Sequence, residues 1–379
     1  MNSGQSLVVG KARHSRDRAR EMISASIEAA GRRYEVWYAF PGPPPRRVGE
    51  ALIALTLLPA MRLGHSLHIS EAVSPAFLRA VPQFQRIFRS WDPSYREVPV
   101  HVDGTAPEGP GRQPGACFLS GGVDSFYSLL SHSDAVSHTI FVHGFDIPLA
   151  ERGLRERLVA PIRNAAAELG KPLIEVESNF RDFADPYVSW DHYNGSALAS
   201  VALLLSAQFS HLYAGATHPY AAPFPWQPPN GVTASWSTEG VHVVNDDGHW
   251  VSRVDKVAAI SRSEVVLRTL RVCWENRGGA YNCGGCEKCL RTMVALRLAG
   301  ALERCTTFAR PLDLFALARL ELGHGRYFMQ ENFDAAVRAG RDPKLQRALR
   351  DCLAGRYNRW GWRVARKMYR LMRNLWLAS

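Results

Sequence analysis

The sequence has 379 residues and a formal net charge of +11, and 46% of its residues are hydrophobic. This composition excludes a disordered chain, and the length predicts two or three domains. The longest apolar stretch, residues 197–207, is interrupted by serines and is shorter than the roughly 18 residues that predict a membrane-spanning helix. The first 22 residues lack the apolar core of a secretory signal, so we expect a cytoplasmic protein.

Residues 1–102 have the pattern of a small α+β domain. Two strands and two helices are predicted there, at Tyr34–Phe40, Val48–Met61, His65–Ile69 and Ala76–Phe88. Residues 103–114 are rich in glycine and proline and contain little to bury, which predicts a linker.

Residues 115–300 alternate strands with helices, which predicts an α/β domain with a doubly wound parallel sheet. The predicted strands are residues 116–119, 139–142, 173–176 and 211–216. One predicted helix begins at residue 126, and two others cover residues 151–170 and 195–209. Ligands of such sheets bind at the carboxyl ends of the strands. Those ends are Ser120–Ser125, His143–Asp146, Ser178–Asn179 and Thr217–His218.

The rest of this region predicts features that would surround a ligand. Residues 219–237 form a long segment that is rich in proline and has no helical or strand periodicity. A segment of this kind is typical of a lid or pocket wall. A hairpin over Val241–Val251 and helices over Val254–Leu270 and Glu287–Leu298 follow, and residues 301–379 predict a helical C-terminal region.

Ser120-Gly-Gly-Val-Asp-Ser125 directly follows the apolar strand and opens a helix. Two glycines allow a tight turn in which successive N–H groups converge on an anion, and the helix directs its positive end to the same place. The alternative is a serine-rich turn that merely starts a helix. The pattern favours a phosphate site.

This motif resembles the signature of the PP-loop ATP pyrophosphatases, over roughly residues 114–300. The resemblance implies that ATP is cleaved between its α- and β-phosphates. It implies that the pyrophosphate portion is held by Ser120, Gly121, Gly122, Val123 and Ser125, with Asp124 orienting the loop or binding Mg²⁺. It places the adenosine at His143, Gly144 and Asp146, where we favour the backbone over either side chain.

Cys273, Cys283, Cys286 and Cys289 form the second motif. Four thiolates can complete a tetrahedral shell around Zn²⁺, and Gly284-Gly285 permits the tight knuckle that such a site needs. A redox centre, an iron–sulfur cluster and sulfur-carrying cysteines are the alternatives. We expect Cys117, Cys305 and Cys352 to be buried without a chemical role.

Together the two motifs resemble those of the 7-cyano-7-deazaguanine synthase family. The extra N-terminal domain, the helical C-terminal region and the Trp- and Pro-rich segment depart from that family, so a different substrate is expected. The resemblance implies an ATP-dependent ligase that adenylates a carboxylate or carbonyl and lets ammonia or an amine displace AMP. A PP-loop sulfur transferase and a non-catalytic nucleotide-binding module are the alternative hypotheses.

Three further side chains are candidates for catalysis. Arg253 and Lys256 open a predicted helix and could stabilise the displaced pyrophosphate, although such cations often line a solvated helix face. His218 follows a strand and could act as a general base. Lys288 and Arg291 are expected to be solvated.

The C-terminus carries much of the positive charge. Residues 356–379 contain seven Arg and Lys residues and no acid, so they account for seven of the eleven net positive charges. These residues predict an amphipathic helix that could contact nucleic acid, an anionic membrane or an acidic partner, or could dock with a solvated basic side. The other partners expected are a small-molecule or peptide substrate, an ammonia or amine donor and, as one option, a second copy of the chain.

Overall fold

The computed structural model describes residues 5–111, 113–216, 236–245, 251–308, 310–323 and 325–357. The chain divides into two compact units, residues 1–250 and residues 251–379. The first unit contains a single sheet with its helices, and the second is helical and contains the four clustered cysteines. Within the described ranges, no helix combines the length and the apolarity that crossing a membrane requires.

Over the described residues, the sheet of the first unit has eleven strands. These are β1 Ser6–Val9, β2 Arg13–Asp17, β3 Arg20–Ala29, β4 Arg32–Pro41, β5 Ser66–Val73, β6 Val100–Thr105, β7 Gly115–Phe118, β8 Val136–His143, β9 Leu173–Ser178, β10 His211–Ala214 and β11 His242–Asn245. Their order is β11-β10-β7-β8-β9-β4-β3-β1-β5-β6, and β2 pairs with β3 beside this path.

Six α-helices accompany this sheet in the part of the unit that the structure describes. They are α1 Gly49–Leu63, α2 Pro75–Trp91, α3 Val123–Ser131, α4 Arg152–Glu168, α5 Phe180–Ala184 and α6 Trp190–Leu204. The strands and helices predicted between residues 34 and 216 are all present, with ends that differ by a few residues.

Strands β7 to β11 are parallel to one another and form one half of the sheet. If β7 to β11 are numbered 1 to 5 in chain order, their order across this half of the sheet is 5-4-1-2-3. The order therefore reverses between β7 and β10. In open α/β sheets the crevice at such a reversal, outside the carboxyl ends of the strands, is where ligands bind.

The other half of the sheet joins the first through an antiparallel pair. Tyr38 of β4 lies opposite Ser178 of β9, and Ala39 lies opposite Glu177. The sheet is thus mixed. The parallel strands predicted for residues 115–300 are β7–β11, and in the other half of the sheet β5 is also parallel to its neighbours β1 and β6. In β3 buried and less buried residues alternate, which is typical of antiparallel strands that are covered on one face.

Residues on both sides of the predicted linker share one hydrophobic core. A single cluster contains residues of β1, β3, β4, α1 and α2 together with residues of β7, β8, α6 and β11. Tyr193 of α6 donates a 2.5 Å hydrogen bond to the Leu55 carbonyl in α1, and Tyr38 lies 2.9 Å from the Ser200 hydroxyl. Residues 103–114 were predicted to separate two domains, whereas β6 extends to Thr105 and β7 of the same sheet begins at Gly115.

The segment that enters β11 packs against α2. The Trp236 ring is 2% exposed, and its centroid lies 3.7 Å from that of Phe84. Glu239 accepts hydrogen bonds from the Ala76 N–H and the Ser74 hydroxyl at the N-terminus of α2. β11 then pairs in parallel with β10. The turn of the predicted hairpin, residues 246–248, lies outside the described residues.

Six helices form the described part of the second unit. They are α7 Arg253–Ile260, α8 Glu264–Leu267, α9 Glu287–Leu298, α10 Leu314–Ala318, α11 Arg326–Ala339 and α12 Pro343–Leu353. The continuous helix predicted over Val254–Leu270 is wrong, because the chain leaves helical geometry after α7. Ser263 begins a new helix there by accepting a hydrogen bond from the Val266 N–H at 3.4 Å.

Candidate functional site

The Ser120–Ser125 turn lies at the carboxyl end of β7. The Leu119 N–H donates to the Ile140 carbonyl at 2.8 Å, which continues the pairing of β7 with β8 by one residue. Gly121 then takes a φ of +82°, a conformation that residues other than glycine rarely adopt. Gly122 is the N-cap of α3, so the N-terminus of a nine-residue helix opens at this turn.

Two serine hydroxyls hold the turn. The Ser120 and Ser125 oxygens lie 3.2 Å apart, and the Ser125 hydroxyl also donates to the Gly122 carbonyl at 3.1 Å. Ser120 is exposed, whereas Ser125 is buried. Hydroxyls, a glycine backbone and a helix N-terminus together form a site of the kind that binds an anion.

Gly215, directly after β10, packs against the same turn. A Cβ atom added to Gly215 would lie 2.7 Å from the Asp124 carbonyl carbon and oxygen and 3.1 Å from the Asp124 Cβ. Only glycine leaves room for this approach, since a contact under 3.0 Å to backbone cannot be accommodated without movement. The sequence alone does not single out Gly215, because the contact depends on β10 lying next to β7.

A pocket adjoins the turn at the ends of β7 and β8. It is lined by Phe118–Ser120, Ile140–Ile147 and Leu198. Most of these residues are apolar, and the exposed Asp146 adds a carboxylate. A mostly apolar pocket with a few polar groups therefore lies beside the Ser120–Ser125 turn.

Gly144 and Arg181 shape the wall of this pocket. Gly144 has a φ of +92°, and a Cβ atom there would lie 2.0 Å from the Ser178 carbonyl oxygen. Arg181 donates to the Phe145 carbonyl at 2.6 Å, and its guanidinium lies 5.0 Å from the Trp190 ring centroid. Arg181 therefore positions the turn after β8, a role that its place in the sequence does not reveal.

The His143 ring is used within the protein. Its Nε2 lies 2.8 Å from the Glu175 carboxylate, and its Nδ1 accepts a 3.2 Å hydrogen bond from Arg155. The contact with His143, followed by that with Arg163, lowers the pKa of Glu175 to about 2. Both ring nitrogens therefore have partners within the protein, and the contact predicted between the backbone of this strand and a ligand stays a prediction.

Several predicted features lie outside the described residues. They are Thr217 and His218, residues 219–235 of the predicted pocket wall, and residues 358–379 of the basic C-terminal helix. The roles predicted for them stay predictions.

Arg253 and Lys256 both belong to α7 of the second unit. The Arg253 N–H donates to the Glu331 carboxylate at 3.1 Å, and its guanidinium lies 5.4 Å from the Phe328 ring centroid. Lys256 is 1% exposed. A solvated helix face is therefore the wrong description of Lys256, and the catalytic role predicted for both residues stays a prediction.

The four predicted cysteines converge in the second unit. Their sulfur atoms all lie within 4.8 Å of one another, and two of the pairs, Cys283–Cys289 and Cys273–Cys286, are 3.9 Å apart. A disulfide needs a separation near 2.05 Å, whereas a tetrahedron with metal–sulfur bonds of about 2.3 Å has sulfurs about 3.8 Å apart. The cluster can therefore bind a metal such as zinc.

The backbone around these cysteines forms a knuckle. The Cys286 N–H donates to the Cys283 sulfur at 3.3 Å, and the Cys289 N–H donates to the Cys286 sulfur at 3.4 Å. Gly284 takes a φ of +68°, as its position between the ligands predicts. Cys286 is also the N-cap of α9, so the helix fixes the direction of the last two sulfurs.

Asn282 holds together the segments that carry these ligands. Its side-chain oxygen accepts from the Val272 N–H at 2.9 Å and the Cys273 N–H at 3.2 Å. Its amide nitrogen donates to the Leu270 carbonyl at 2.9 Å and the Thr307 hydroxyl at 3.0 Å. Sequence reasoning missed this residue; the signal available was a polar side chain directly before Cys283.

Arg291, two residues beyond Cys289, was expected to be solvated, and this expectation is wrong. The side chain is buried, lies 2.9 Å from the Glu287 carboxylate and stacks 4.1 Å from the Phe328 ring centroid. Glu287 neutralises the charge and Phe328 covers the planar guanidinium, which makes burial of the arginine tolerable.

Comparison of the chain with protein-family models, with curated proteins and with solved structures finds no match.

Proposed function

We propose that the protein is an ATP-dependent ligase of the PP-loop type, which adenylates a carboxylate or carbonyl substrate. The observation that carries the proposal is the position of the Ser120–Ser125 turn. It lies where the strand order reverses between β7 and β10, with a glycine backbone and the N-terminus of α3 at the same point. The motif resemblance supplies the reaction class.

In this proposal the turn binds the phosphates of ATP. The amides of Gly121 and Gly122 and the hydroxyls of Ser120 and Ser125 donate to phosphate oxygens. Asp124, in the first turn of α3, supplies a carboxylate for Mg²⁺. The pocket at the ends of β7 and β8 receives the nucleoside, with the backbone of residues 143–146 along its wall.

The proposed chemistry has two steps. A substrate oxygen attacks the α-phosphorus of ATP, the bond between the α-phosphorus and the bridging oxygen breaks, and pyrophosphate leaves. Ammonia or an amine then attacks the activated carbon, the nitrogen loses a proton, and AMP leaves with the substrate oxygen. Donors that are already oriented in the turn lower the cost of the charge that develops on the leaving pyrophosphate.

The cysteine cluster suits a structural zinc ion in this proposal. All four sulfurs face one another, so a tetrahedral ion would have no open coordination position. The same arrangement weighs against the sulfur-transfer alternative, which needs a cysteine that is free to react. Metal analysis with thiol titration distinguishes the two, because a zinc protein would hold one ion per chain and leave the four thiols unreactive.

Calorimetry of the full-length protein with ATP and Mg²⁺ tests the nucleotide site. We expect Asp124→Asn and Ser125→Ala each to weaken ATP binding at least tenfold, which is about 1.4 kcal/mol or more. Ser131→Ala, at the exposed C-terminal end of α3, is the matched control and should bind as the wild type does. Melting temperatures verify that each variant is folded.

A second assay tests the reaction. Wild-type protein incubated with ATP, ammonia and a panel of carboxylic acids should release AMP and pyrophosphate with its substrate. ATP binding with no pyrophosphate release for any acid would favour the nucleotide-binding module. ATP binding that survives both substitutions would contradict the proposed site.

A further inference from the structure

The two units differ strongly in charge. Residues 251–379 contain 25 Lys and Arg and 11 Asp and Glu, a net charge of +14. Since the whole chain carries +11, residues 1–250 carry −3. Positive charge is therefore a property of the entire second unit, not only of its C-terminal residues. A basic unit of this kind attracts a polyanion.

Five exposed cations lie together in sequence at the end of α11 and along α12. We call this set the α11–α12 patch; it consists of Arg338, Arg341, Lys344, Arg347 and Arg350. Three of them repeat every third residue on α12, so they cover roughly 9 Å of the helix.

The carboxylates near the patch are engaged elsewhere. Asp342 pairs with Arg297 at 2.5 Å and caps α12, and Asp351 pairs with Arg356 at 3.0 Å. Asp334 accepts from Gln330 at 2.8 Å. Among the described residues, no carboxylate lies within ion-pair distance of a patch cation, whereas Arg291, Arg297, Arg304 and Arg356 of the same unit are paired.

The helix that carries the patch is a fixed support. Its opposite face contributes Leu345, Leu349 and Leu353 to the core of the second unit. Gln346 donates to the Ala336 and Arg341 carbonyls at 3.0 and 3.1 Å, which ties α12 to the end of α11. Because the apolar face is already buried, α12 cannot insert that face into a membrane as an interfacial helix does.

We propose that the α11–α12 patch binds the phosphate backbone of duplex DNA. Arginine and lysine side chains only donate hydrogen bonds, so the patch suits phosphate oxygens and offers no acceptor to a ribose 2′-hydroxyl. Phe333, whose ring centroid lies 5.9 Å from the Arg350 guanidinium, packs against the core, and neither α11 nor α12 has an exposed aromatic side chain for stacking on the bases of a single strand. Contacts to phosphates alone give binding without sequence preference.

Fluorescence anisotropy of a labelled 20-base-pair DNA duplex with the full chain tests this proposal between 50 and 200 mM KCl. The wild type should bind with an affinity that falls steeply with salt. Lys344→Gln/Arg347→Gln should weaken binding about tenfold or more at 50 mM KCl and lower the salt slope by about 2. Both side chains are exposed, so the melting temperature should not change.

The matched control is Arg79→Gln/Arg86→Gln, which removes two exposed cations from α2 in the first unit. It changes the net charge equally and should leave DNA binding unaltered. Equal losses in both double variants, or no loss in the patch variant, would overturn the proposal. Tighter binding of a single strand or an RNA duplex, or patch-dependent binding to phosphatidylserine vesicles without DNA binding, would overturn the assignment to DNA.

Discussion

Asn282 shows how one side chain can hold together a cysteine cluster to which it contributes no sulfur. Four polar contacts of this buried amide join residues 270–273, which bear the first cysteine, to Thr307. Partners of this kind orient ligands, and their loss typically lowers metal affinity by 10- to 100-fold.

We predict that Asn282→Ala lowers the free energy of unfolding by about 2–4 kcal/mol, because it leaves two buried N–H groups without an acceptor. Zinc should also leave this variant at a lower chelator concentration than the wild type requires. Metal content after chelator titration and thermal melting measure the two effects. Asn194→Ala, at an exposed position in α6, is the control, and an equal loss of zinc there would refute the role of Asn282.

Glu175 should make stability depend on acid pH. Its folded-state pKa, about 2, lies below the ordinary value of 4.5, chiefly because of the hydrogen bond with His143. The ionised carboxylate therefore stabilises the fold above pH 4.5, and this contribution is lost as pH falls from about 4.5 toward 2. Allowing for partial solvent screening, we expect about 1–3 kcal/mol at pH 7.

Urea unfolding at pH 7 and pH 3 measures this contribution. Glu175→Gln should be less stable than the wild type at pH 7, and the difference should shrink at pH 3. Glu156→Gln removes the exposed partner of the same Arg163 and should change stability little at either pH. If Glu175→Gln destabilises the protein equally at pH 7 and pH 3, the charge of the Glu175 carboxylate is not responsible.

At the scale of elements, local patterns predict the pieces of each site. The apolar run into Ser120, the glycines that follow and the helix spacing after them predict β7, the turn and α3. The C-x2-C-x2-C spacing predicts sulfurs that face one point. Both succeed because the interactions that form them are separated by few residues.

Other features of the structure could not be predicted from local sequence patterns. Gly215 contacts Asp124 only because β10 and β7 are neighbours in the sheet. In the sequence, 90 residues lie between Asp124 and Gly215. Arg181 reaches the carbonyl of Phe145 from another element. The break between α7 and α8 was missed because apolar residues occur at helical spacing on both sides of Ser261–Ser263, while the capping by Ser263 starts a separate helix.

At the scale of the whole molecule, the N-terminal 102 residues are part of the main sheet. β4 covers the edge of β9, and α1 shares its core with α6. The sequence predicted a separate domain because the glycine- and proline-rich stretch after residue 102 has nothing to bury, and a stretch of this kind also serves as a connection within one sheet.

Deletion of residues 1–102 should therefore prevent folding of the rest of the first unit. The deletion uncovers the edge of β9 and the apolar residues that α1 covers, which favours aggregation. We expect insoluble protein, or soluble protein without a cooperative thermal transition. A soluble fragment 103–379 that melts cooperatively would contradict this, and the full chain expressed in parallel is the control.

The antiparallel joint also has a consequence for the order in which the chain folds. The β3–β4 ribbon is complete once residue 41 has been made, but its partner β9 begins only at Leu173. At roughly 5–20 residues per second, a ribosome needs about 7–26 s to supply the residues between them. During that interval β4 has an open edge on the nascent chain. Closing the sheet is therefore a late event in biosynthesis, and it is the step most exposed to pairing with another chain.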